Sequence, residues 1–172
     1  MGKRYPAQGD LRTEPRGWAR QRLNHIGFMT DDLDADYARL IELGYTELTA
    51  PRTASSGQGR LAFIADPNGV RVELLQRSED FRIPPIVSGP VRHFSYVALA
   101  APDLEAAVEF YGTHLGMHSV PSDSPTFRIG DDAVKLLPAA TTPIDHLALA
   151  ATVARPDARD PDGNRVIFQA HS

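Results

Sequence analysis

The stretch LNHIGFMTDDLDADYARLIELGYTEL, residues 23–48, decides the fold because it leads a short strand directly into an amphipathic helix. The apolar residues after the strand recur at the spacing of one helical face: Leu33, Tyr37, Leu40 and Ile41. Asp31 or Asp32 is expected to cap this helix, because a short carboxylate accepts hydrogen bonds from the free N–H groups of the first turn. Gly44 is expected to end it.

The residues after this helix complete a unit of the type βαβββ. Residues 51–60 have the composition of a loop, and RLAFIADPNGVRVELLQR (60–77) has the pattern of a strand, a tight turn and a second strand. In the DPNG turn, proline supplies a fixed φ and glycine a positive one. The first unit is therefore predicted to span residues 23–78, in a protein of the α+β class.

An internal repeat begins after a Pro-rich linker at residues 79–90. HFSYVALAAPDLEAAVEFYGTHLGMHSV restarts the pattern, with a helix predicted from Leu104 to Leu115 by its apolar spacing. Tyr96 takes the place of His25, since each lies seven residues before an aspartate that is followed by leucine and a helix. The second unit is predicted to span residues 91–138.

A third, abbreviated unit is predicted over residues 139–172. IDHLALAATVARPDARDPDGNRVIFQ has the pattern of the first strand of a unit joined directly to its last hairpin, without the helix. The turn DPDGNRV repeats DPNGVRV, but Ile167 falls where the first unit has Glu73. This hairpin is expected either to extend a sheet or to be exchanged between subunits.

Composition excludes several classes of protein. Apolar residues make up 42% of the chain, but no apolar run approaches the roughly 20 residues of a membrane span. The absence of cysteine excludes disulfides, thiolate metal ligands and a cysteine nucleophile. Without a segment of signal-peptide type, the protein is predicted to be cytoplasmic.

The N-terminal arm, residues 1–22, is basic. It holds six Lys or Arg residues against two acidic ones, in a chain whose net charge is -4. A mild negative charge gives no indication of a nucleic-acid or membrane partner. We interpret the arm as a solvated terminus that docks through Trp18, in preference to a clamp on an acidic partner.

His25 and Glu73 are polar residues set among apolar neighbours in the first and last strands of the first unit. Burial of a lone carboxylate is costly, so Glu73 needs a cation. Alternation along the strand places Arg71 on the same face as Glu73, so the cation is either a metal ion or this guanidinium. The residues alone leave both alternatives open.

Four motifs resemble the vicinal oxygen chelate superfamily across about residues 23–170: HIGFMTDDLDADYARLIELG, AFIADPNGVRVEL, YVALAAPDLEAAVEFYGTHLGM and HLALA with DPDGNRV. Its members include glyoxalase I, extradiol ring-cleavage dioxygenases, fosfomycin-resistance enzymes, epimerases and metal-free bleomycin-binding proteins. The resemblance implies repeated βαβββ units that form a U-shaped mixed sheet around a cleft, with metal ligands in the first and last strands of each unit. By that match His25 and Glu73 are metal ligands.

The order of the units departs from the usual pattern of the family. The FY…LG type of unit, here EFYGTHLG, follows the DLD…LG type instead of preceding it. This order is similar to the permuted arrangement of toxoflavin lyase, which implies a site of one histidine and two carboxylates.

The third ligand is left open. The second unit offers Tyr96 in its first strand and Lys135 or Leu136 in its last, none of which is an ordinary ligand. His146 is preferred because it stands in the HxxL setting usual for the family. His93 lies on the face opposite Tyr96 unless the strand bulges. The other histidines, His114, His118 and His171, are expected to be structural or exposed.

The resemblance implies a divalent metal cofactor and a small-molecule substrate. Two histidines and Glu73 would form a facial triad suited to Fe(II) or Mn(II), with Zn(II) or Ni(II) as further candidates. Tyr96 is the candidate catalytic acid or base. Three cationic residues are candidates to bind an anionic group of the substrate: Arg71, Arg128 and Lys135.

The sequence therefore predicts a metal-dependent enzyme that acts on a small oxygenated or aromatic molecule, with an extradiol-type ring-cleaving dioxygenase preferred over a lyase or isomerase. The alternative is a metal-free, drug-sequestering binding protein of the same fold, in which Glu73 pairs with Arg71. A third hypothesis gives the basic arm and the incomplete unit a role in assembly. A homodimer is expected in each case, because pairing of subunits covers open sheet edges.

Overall fold

The structure, a computed structural model, describes residues 23–81 and 89–170. The first unit contains β1 (Ile26–Met29), α1 (Leu33–Glu42), β2 (Thr46–Thr53), β3 (Arg60–Ala65) and β4 (Arg71–Gln76), followed by a short 3₁₀ turn at Glu79–Phe81. The second contains β5 (Val91–Ala100), α2 (Leu104–Val108), a π-helical turn (Glu109–His114), β6 (His118–Val120), β7 (Thr126–Ile129) and β8 (Asp132–Leu137). The last segment contains β9 (Ile144–Ala151), β10 (Ala158–Arg159) and β11 (Arg165–Ala170).

The two βαβββ units have the same strand order. The strand order of the first sheet is β1-β4-β3-β2. The second sheet has the order β10-β11-β9-β5-β8-β7-β6 and so contains the equivalent order β5-β8-β7-β6. In both units the first strand is parallel to the last. The α+β class and the repeated unit are therefore confirmed.

The third segment extends the second sheet of its own chain. β9 pairs antiparallel with β5, β11 pairs parallel with β9, and β10 forms the edge beyond β11. The structure describes no helix between residues 139 and 170. The basic arm at 1–22, residues 82–88 of the predicted linker, and 171–172 lie outside the described residues.

Helix α1 forms where its apolar spacing predicts. Asp32 is the cap, since its side chain accepts a hydrogen bond from the Ala35 N–H at 3.1 Å. Leu33 and Leu40 are fully buried on the sheet side. Gly44 follows the helix with a φ of +93°, a conformation that favours glycine. In the described part of the chain, no helix is long and apolar enough to cross a membrane.

The second helix differs from the continuous helix that its spacing predicts. The α-helical part ends at Val108, and the next six residues form the π-helical turn. Consecutive side chains on this wider turn point in more similar directions than on an α-helix, and both Phe110 and Tyr111 are fully buried. Gly112 makes close packing possible, because a Cβ there would lie 2.9 Å from Phe127 Cε1.

We expect Gly112→Ala to lower the free energy of unfolding by about 1–3 kcal/mol, because the added methyl group would overpack the contact with Phe127. Thermal unfolding followed by circular dichroism measures the effect. Thr113→Ala, at an exposed neighbouring position, is the control and should be close to neutral. Adding Phe127→Leu to Gly112→Ala should recover part of the loss. Equal stability of the two single variants would contradict this account.

The first unit is fixed to the second by its DPNG turn. Asp66, only 4% exposed, accepts a hydrogen bond from the Tyr111 hydroxyl at 2.9 Å. Asn68 exchanges two hydrogen bonds with the backbone of Asp103, the capping residue of α2. A single apolar core continues across this junction and includes residues of both units. The turn therefore determines how the two sheets, and the site residues on them, are placed.

Candidate functional site

His25 and Glu73 lie side by side on the first sheet. The His25 Nε2 atom is 3.6 Å from Glu73 Oε2, and the Glu73 side chain is 16% exposed. Their strands, β1 and β4, are paired, and Gly27 is the residue directly opposite Glu73. A Cβ at Gly27 would lie 3.3 Å from Glu73 Oε2, so glycine leaves room for the carboxylate. The two candidate ligands are therefore neighbours, and their role as metal ligands stays a prediction.

The hydrogen bonding of His25 leaves a lone pair pointing at a carboxylate. Its Nδ1 lies 2.5 Å from the side-chain oxygen of Asn24, which can only accept, so Nδ1 is the donor in this contact and a neutral ring has no proton on Nε2. Nε2 then presents its lone pair to Glu73. Two electron-rich groups at 3.6 Å require a cation between them, either a proton or a metal ion. Asn24 thus stands where a ligating histidine in a metal site has the partner that fixes its ring.

Phe63 separates Glu73 from the nearest arginine of its strand. The His25 ring meets the Phe63 ring edge-on at 5.4 Å between centroids. The Arg71 guanidinium lies over the same Phe63 ring at 3.9 Å. The Glu73 carboxylate lies within 4 Å of the His25 ring, whereas the Arg71 guanidinium stacks on Phe63. The pairing of Glu73 with Arg71, expected for a metal-free protein, is thus not formed.

The donor set of one chain fits part of a metal site. When two ligand atoms are each about 2.1 Å from one ion, the distance between them is about 3.0–3.4 Å for angles between 90° and tetrahedral. His25 Nε2 and Glu73 Oε2 are 3.6 Å apart, so only a small movement of the side chains would let both bind one ion. A facial site requires a third protein ligand. Within residues 23–81 and 89–170, no group of three His, Cys, Asp or Glu is placed to hold a metal ion. The described part of one chain therefore supplies an incomplete site.

Tyr96 and His146 form a second pair, on the second sheet. His146 is 7% exposed, and its Nε2 lies 3.4 Å from the Tyr96 hydroxyl. Its Nδ1 lies 2.5 Å from the Asp145 carboxylate, which accepts the Nδ1 proton. Nε2 is then free to accept from the phenol. Unlike His25, His146 has a proton donor opposite its lone pair, so this chain of three groups is complete without a metal ion.

Burial keeps the Tyr96 hydroxyl protonated at neutral pH by raising its pKa. Burial raises the pKa of the Tyr96 phenol, and the nearby Lys135 ammonium opposes this shift only in part. Lys135 lies 5.3 Å from the centre of the Tyr96 ring and 2.5 Å from the Asp123 carboxylate. The phenol is therefore a hydrogen-bond donor that faces His146.

A β-bulge brings His93 to the face of Tyr96. His93 is opposite Ala150 and Tyr96 is opposite Ala148, so three residues of β5 span two residues of β9. The bulge lies between Phe94 and Tyr96. The condition for His93 to share the Tyr96 face is met, although His93 is exposed. Its role as a ligand stays a prediction, as does that of His146.

Arg128 lies on the outer hairpin of the second sheet, away from both pairs. It is exposed, and its guanidinium donates to the Asp131 carbonyl at 2.9 Å. A function in substrate binding stays a prediction for Arg128, Arg71 and Lys135. Sequence reasoning missed Asn24, Asp145 and Phe63, and the only signal for the first two was a polar oxygen directly before each candidate histidine.

A groove of about 330 Å³ separates the two pairs. It lies between β1 and the strands β5, β8 and β9, and His25 and Tyr96 both border it. Most of its lining is apolar: Ile26, Phe28, Val97, Met117, Val134 and Leu147. Such dimensions suit a small ligand or a few side chains of another strand.

The strand–helix–hairpin segment that carries His25 and Glu73 matches a known family model. The model of the Glyoxalase/Bleomycin resistance protein/Dioxygenase superfamily matches residues 4–74. The match to this vicinal oxygen chelate superfamily covers the first part of the chain, through Leu74 of β4. No curated protein matches the chain.

Solved structures with this vicinal oxygen chelate fold match most of the chain. The Mn(II)-bound glyoxalase from Novosphingobium aromaticivorans has a TM-score of 0.64 at 15% identity, over 86% of this chain and 62% of that one. The 2,3-dioxygenase LapB from Pseudomonas sp. KL28 has a TM-score of 0.59 at 17% identity, over 86% and 72%.

A third match is 2,2',3-trihydroxybiphenyl 1,2-dioxygenase from Sphingomonas wittichii strain RW1. It has a TM-score of 0.57 at 17% identity, over 86% of this chain and 70% of that one. The chain spans less than two thirds of the length of the glyoxalase. At these identities the similarity establishes the fold shared by the proteins.

Proposed function

We propose that this chain is a member of the vicinal oxygen chelate superfamily and a metal-dependent enzyme that acts on a small oxygenated molecule, with His25 and Glu73 as metal ligands. The observation that carries the proposal is the position of His25 Nε2, which faces the Glu73 carboxylate at 3.6 Å while Nδ1 is occupied by Asn24. The backing of His25 by Asn24 and the space left by Gly27 both suit a bound ion. Fe(II) or Mn(II) is proposed before Zn(II) or Ni(II).

The reaction that we propose first is extradiol-type ring cleavage, with lyase or isomerase chemistry second. Two of the similar structures are named as dioxygenases, and a third as a Mn(II)-bound glyoxalase. A divalent ion held by this donor set would supply Lewis-acid chemistry and open positions for a chelating substrate and O₂.

The Asp145–His146–Tyr96 chain is proposed to hold the proton that the reaction needs. Tyr96 borders the groove, and its protonated phenol can donate to an oxygen of the substrate. His146 Nε2, which accepts from this hydroxyl through the 3.4 Å contact, orients the phenol, and Tyr96 regains its proton from solvent in the groove. Lys135, above the same ring, favours a substrate with an anionic oxygen. Tyr96 is therefore the proposed acid, and His146 is its partner.

Metal binding by the purified chain tests the proposal. Metal-free protein is titrated with Mn(II), and with Fe(II) without oxygen, by calorimetry and elemental analysis. We expect binding by the wild type and its loss in His25→Ala. His118→Ala, at an exposed histidine on β6, is the control and should bind as the wild type does. A wild type that binds no divalent ion would overturn the proposal. Oxygen uptake with a set of catechols then separates dioxygenase from isomerase chemistry.

A second candidate function is metal-free binding of a small apolar molecule. It is favoured by the apolar groove of about 330 Å³ and by the two-ligand donor set in the described part of one chain. Quenching of tyrosine fluorescence by flat aromatic compounds, measured in excess chelator, tests it. Binding that is unchanged by chelator and by His25→Ala would favour this candidate over the enzyme.

A further inference from the structure

One row of residues crosses four neighbouring strands of the second sheet and has a cation at each end. Lys135 on β8 is opposite Ala98 on β5, and Ala98 is opposite His146 on β9. His146 is in turn opposite Arg165 on β11. Residues opposite each other on paired strands share one face of the sheet. Because neighbouring strands are about 4.8 Å apart, the Cα atoms of Lys135 and Arg165 are about 14 Å apart, and both long side chains can reach the space above the row.

Lys135 has the position in the second unit that Glu73 has in the first. Each is opposite the residue that comes two positions after the candidate residue of the first strand, which is His25 in one unit and Tyr96 in the other. The second sheet therefore has a phenol and an ammonium group where the first has an imidazole and a carboxylate. A site that contains a fixed ammonium group repels a metal ion and attracts an anion.

Both cations are paired with carboxylates from exposed loops. The Lys135 side chain is only 14% exposed, and its Nζ lies 2.5 Å from the carboxylate of Asp123, which is 79% exposed. The Arg165 guanidinium donates to Asp157 at 2.8 Å, and both of these side chains are about half exposed. Ion pairs with such exposed partners contribute little to stability, so a carboxylate of a ligand can replace them at small cost.

Tyr96 lies between the two cations and has a hydroxyl that can be redirected. Its contact with His146 Nε2, at 3.4 Å, is longer than the usual 2.7–3.0 Å or about that of a good hydrogen bond. Burial has the largest effect on the pKa of the phenol and raises it, the two cations lower it, and their two loop carboxylates raise it. Lys135 and Arg165 are therefore both within electrostatic reach of one hydroxyl.

We propose that this face of the second sheet binds a small organic dicarboxylate without a metal ion. One carboxylate of the ligand binds the Lys135 ammonium, and the other binds the Arg165 guanidinium, each in place of the loop carboxylate now paired with it. Arginine can hold a carboxylate through two parallel hydrogen bonds. The Tyr96 hydroxyl donates a further hydrogen bond to the ligand. The site does not rest on the proposed function, because it requires no metal ion.

Calorimetric titration of metal-free protein with succinate, glutarate and adipate tests the site. The chelator is removed beforehand, because common chelators are themselves polycarboxylates. We expect at least one of the three to bind about 10-fold or more tightly than the monocarboxylate of the same chain length, since the second carboxylate adds a charge-assisted hydrogen bond. Absence of binding by all three, or equal binding of the monocarboxylates, would overturn the proposal.

Removal of the ammonium group tests the role of Lys135. Lys135→Met keeps a long side chain without its charge, and we expect it to weaken binding by about 10-fold or more. Arg52→Met is the control and should bind as the wild type does, because it removes a cation from an exposed position on β2 of the first sheet. A Lys135 variant with the affinity of the wild type would contradict the proposal.

Removal of the loop carboxylate should have the opposite effect. Asp123→Asn keeps the shape of an exposed side chain and should tighten binding, because the loop no longer competes with the ligand for Lys135. A loss of folding cannot produce a gain in affinity, so this result does not depend on the stability of the Lys135 variant. Unchanged or weaker binding by Asp123→Asn would reject the exchange of carboxylates.

His25→Ala separates this site from the proposed function. We expect the variant to bind the dicarboxylate as the wild type does and to lose Mn(II) binding. Dicarboxylate binding that occurs only when Mn(II) is present would reject this site and retain the metal function. A wild type that binds the dicarboxylate but no Mn(II) would retain this site and reject the metal function.

Discussion

Replacing Glu73 with glutamine is expected to weaken Mn(II) binding by more than about 100-fold, because a neutral amide replaces a charged ligand. Loss of a residue that only hydrogen-bonds to a ligand already weakens metal binding by about 10–100-fold. Glu47→Gln is the matched control. It removes the same charge from β2 of the same sheet, at an exposed position away from His25, and should bind metal as the wild type does. Calorimetric titration of the two variants measures the difference.

The metal-free stability of Glu73→Gln separates a ligand from a structural residue. The glutamine amide can donate to the His25 Nε2 lone pair, which in the wild type faces a carboxylate at 3.6 Å. We therefore expect the variant to unfold at the same temperature as the metal-free wild type or above it. Added Mn(II) should raise the midpoint of the wild type only. A variant that loses stability without metal, and still responds to Mn(II), would contradict the ligand role.

The pairing of His25 with Glu73 was predictable because it depends on a repeated strand pattern. A polar residue in the first strand of a βαβββ unit meets one in the last wherever these strands are neighbours, and β1 and β4 are paired. Sequence spacing predicted the strands and α1 for the same reason. Their periodicity reflects which side chains face the core, and this is decided locally.

The bulge in β5 and the π-helical turn could not be read from spacing. Both are irregularities that packing against other elements selects. The bulge between Phe94 and Tyr96 changes which side chains face His146, and it depends on pairing with β9. The π-helical turn depends on contact between Gly112 and Phe127, which are far apart in sequence. Periodicity describes regular elements only, so residues displaced by an irregularity are assigned to the wrong face.

The contact between Tyr96 and His146 could not be predicted from the sequence either. Both residues were candidates for one metal site with His25 and Glu73, because the repeat puts them at equivalent positions. The structure places them on the second sheet, where His146 already has Asp145 and Tyr96 as partners. Which sheet a strand joins depends on contacts between units, and the sequence pattern of one unit does not reveal these contacts.

Removal of Asp66 is expected to cost about 3 kcal/mol of unfolding free energy at neutral pH. The buried carboxylate accepts from the backbone N–H groups of Asn68 and Val70 and from the Tyr111 hydroxyl, at 2.8–2.9 Å. Asp66→Ala leaves these donors without an acceptor, at about 1 kcal/mol or more each. Chemical denaturation measures the loss, which comes from the turn and from the junction between the two units.

Asp160→Ala is the matched control, because Asp160 holds the equivalent DPDGN turn. It accepts from the Asp162 and Asn164 N–H groups and from the Asn164 side chain, but no tyrosine within residues 23–81 and 89–170 binds it. The control therefore removes the turn contacts and keeps the junction. A loss for Asp160→Ala as large as that for Asp66→Ala would mean that the junction with Tyr111 contributes nothing.

The two aspartates should also differ in the sign of their pH dependence. Burial raises the pKa of Asp66 above its usual 3.8, so its folded form keeps a proton that the unfolded chain has released. Its contribution to stability is then largest below pH 3.8 and falls as the pH rises through the folded pKa. Hydrogen bonds, first from the Asn164 side chain, lower the pKa of Asp160, so its contribution is present above pH 3.8 and is lost as the pH falls through the folded pKa.

On acidification, the cost of Asp66→Ala should therefore grow while the cost of Asp160→Ala shrinks. Urea denaturation of the wild type and both variants at a series of pH values from neutral to acid measures the two trends. Parallel trends would show that burial at the junction does not control Asp66. Opposite trends would mean that the same turn motif has two roles in this chain. The DPDGN turn only closes a hairpin. The DPNG turn also binds Tyr111 of the second unit, and so holds in place the sheet that carries His25 and Glu73.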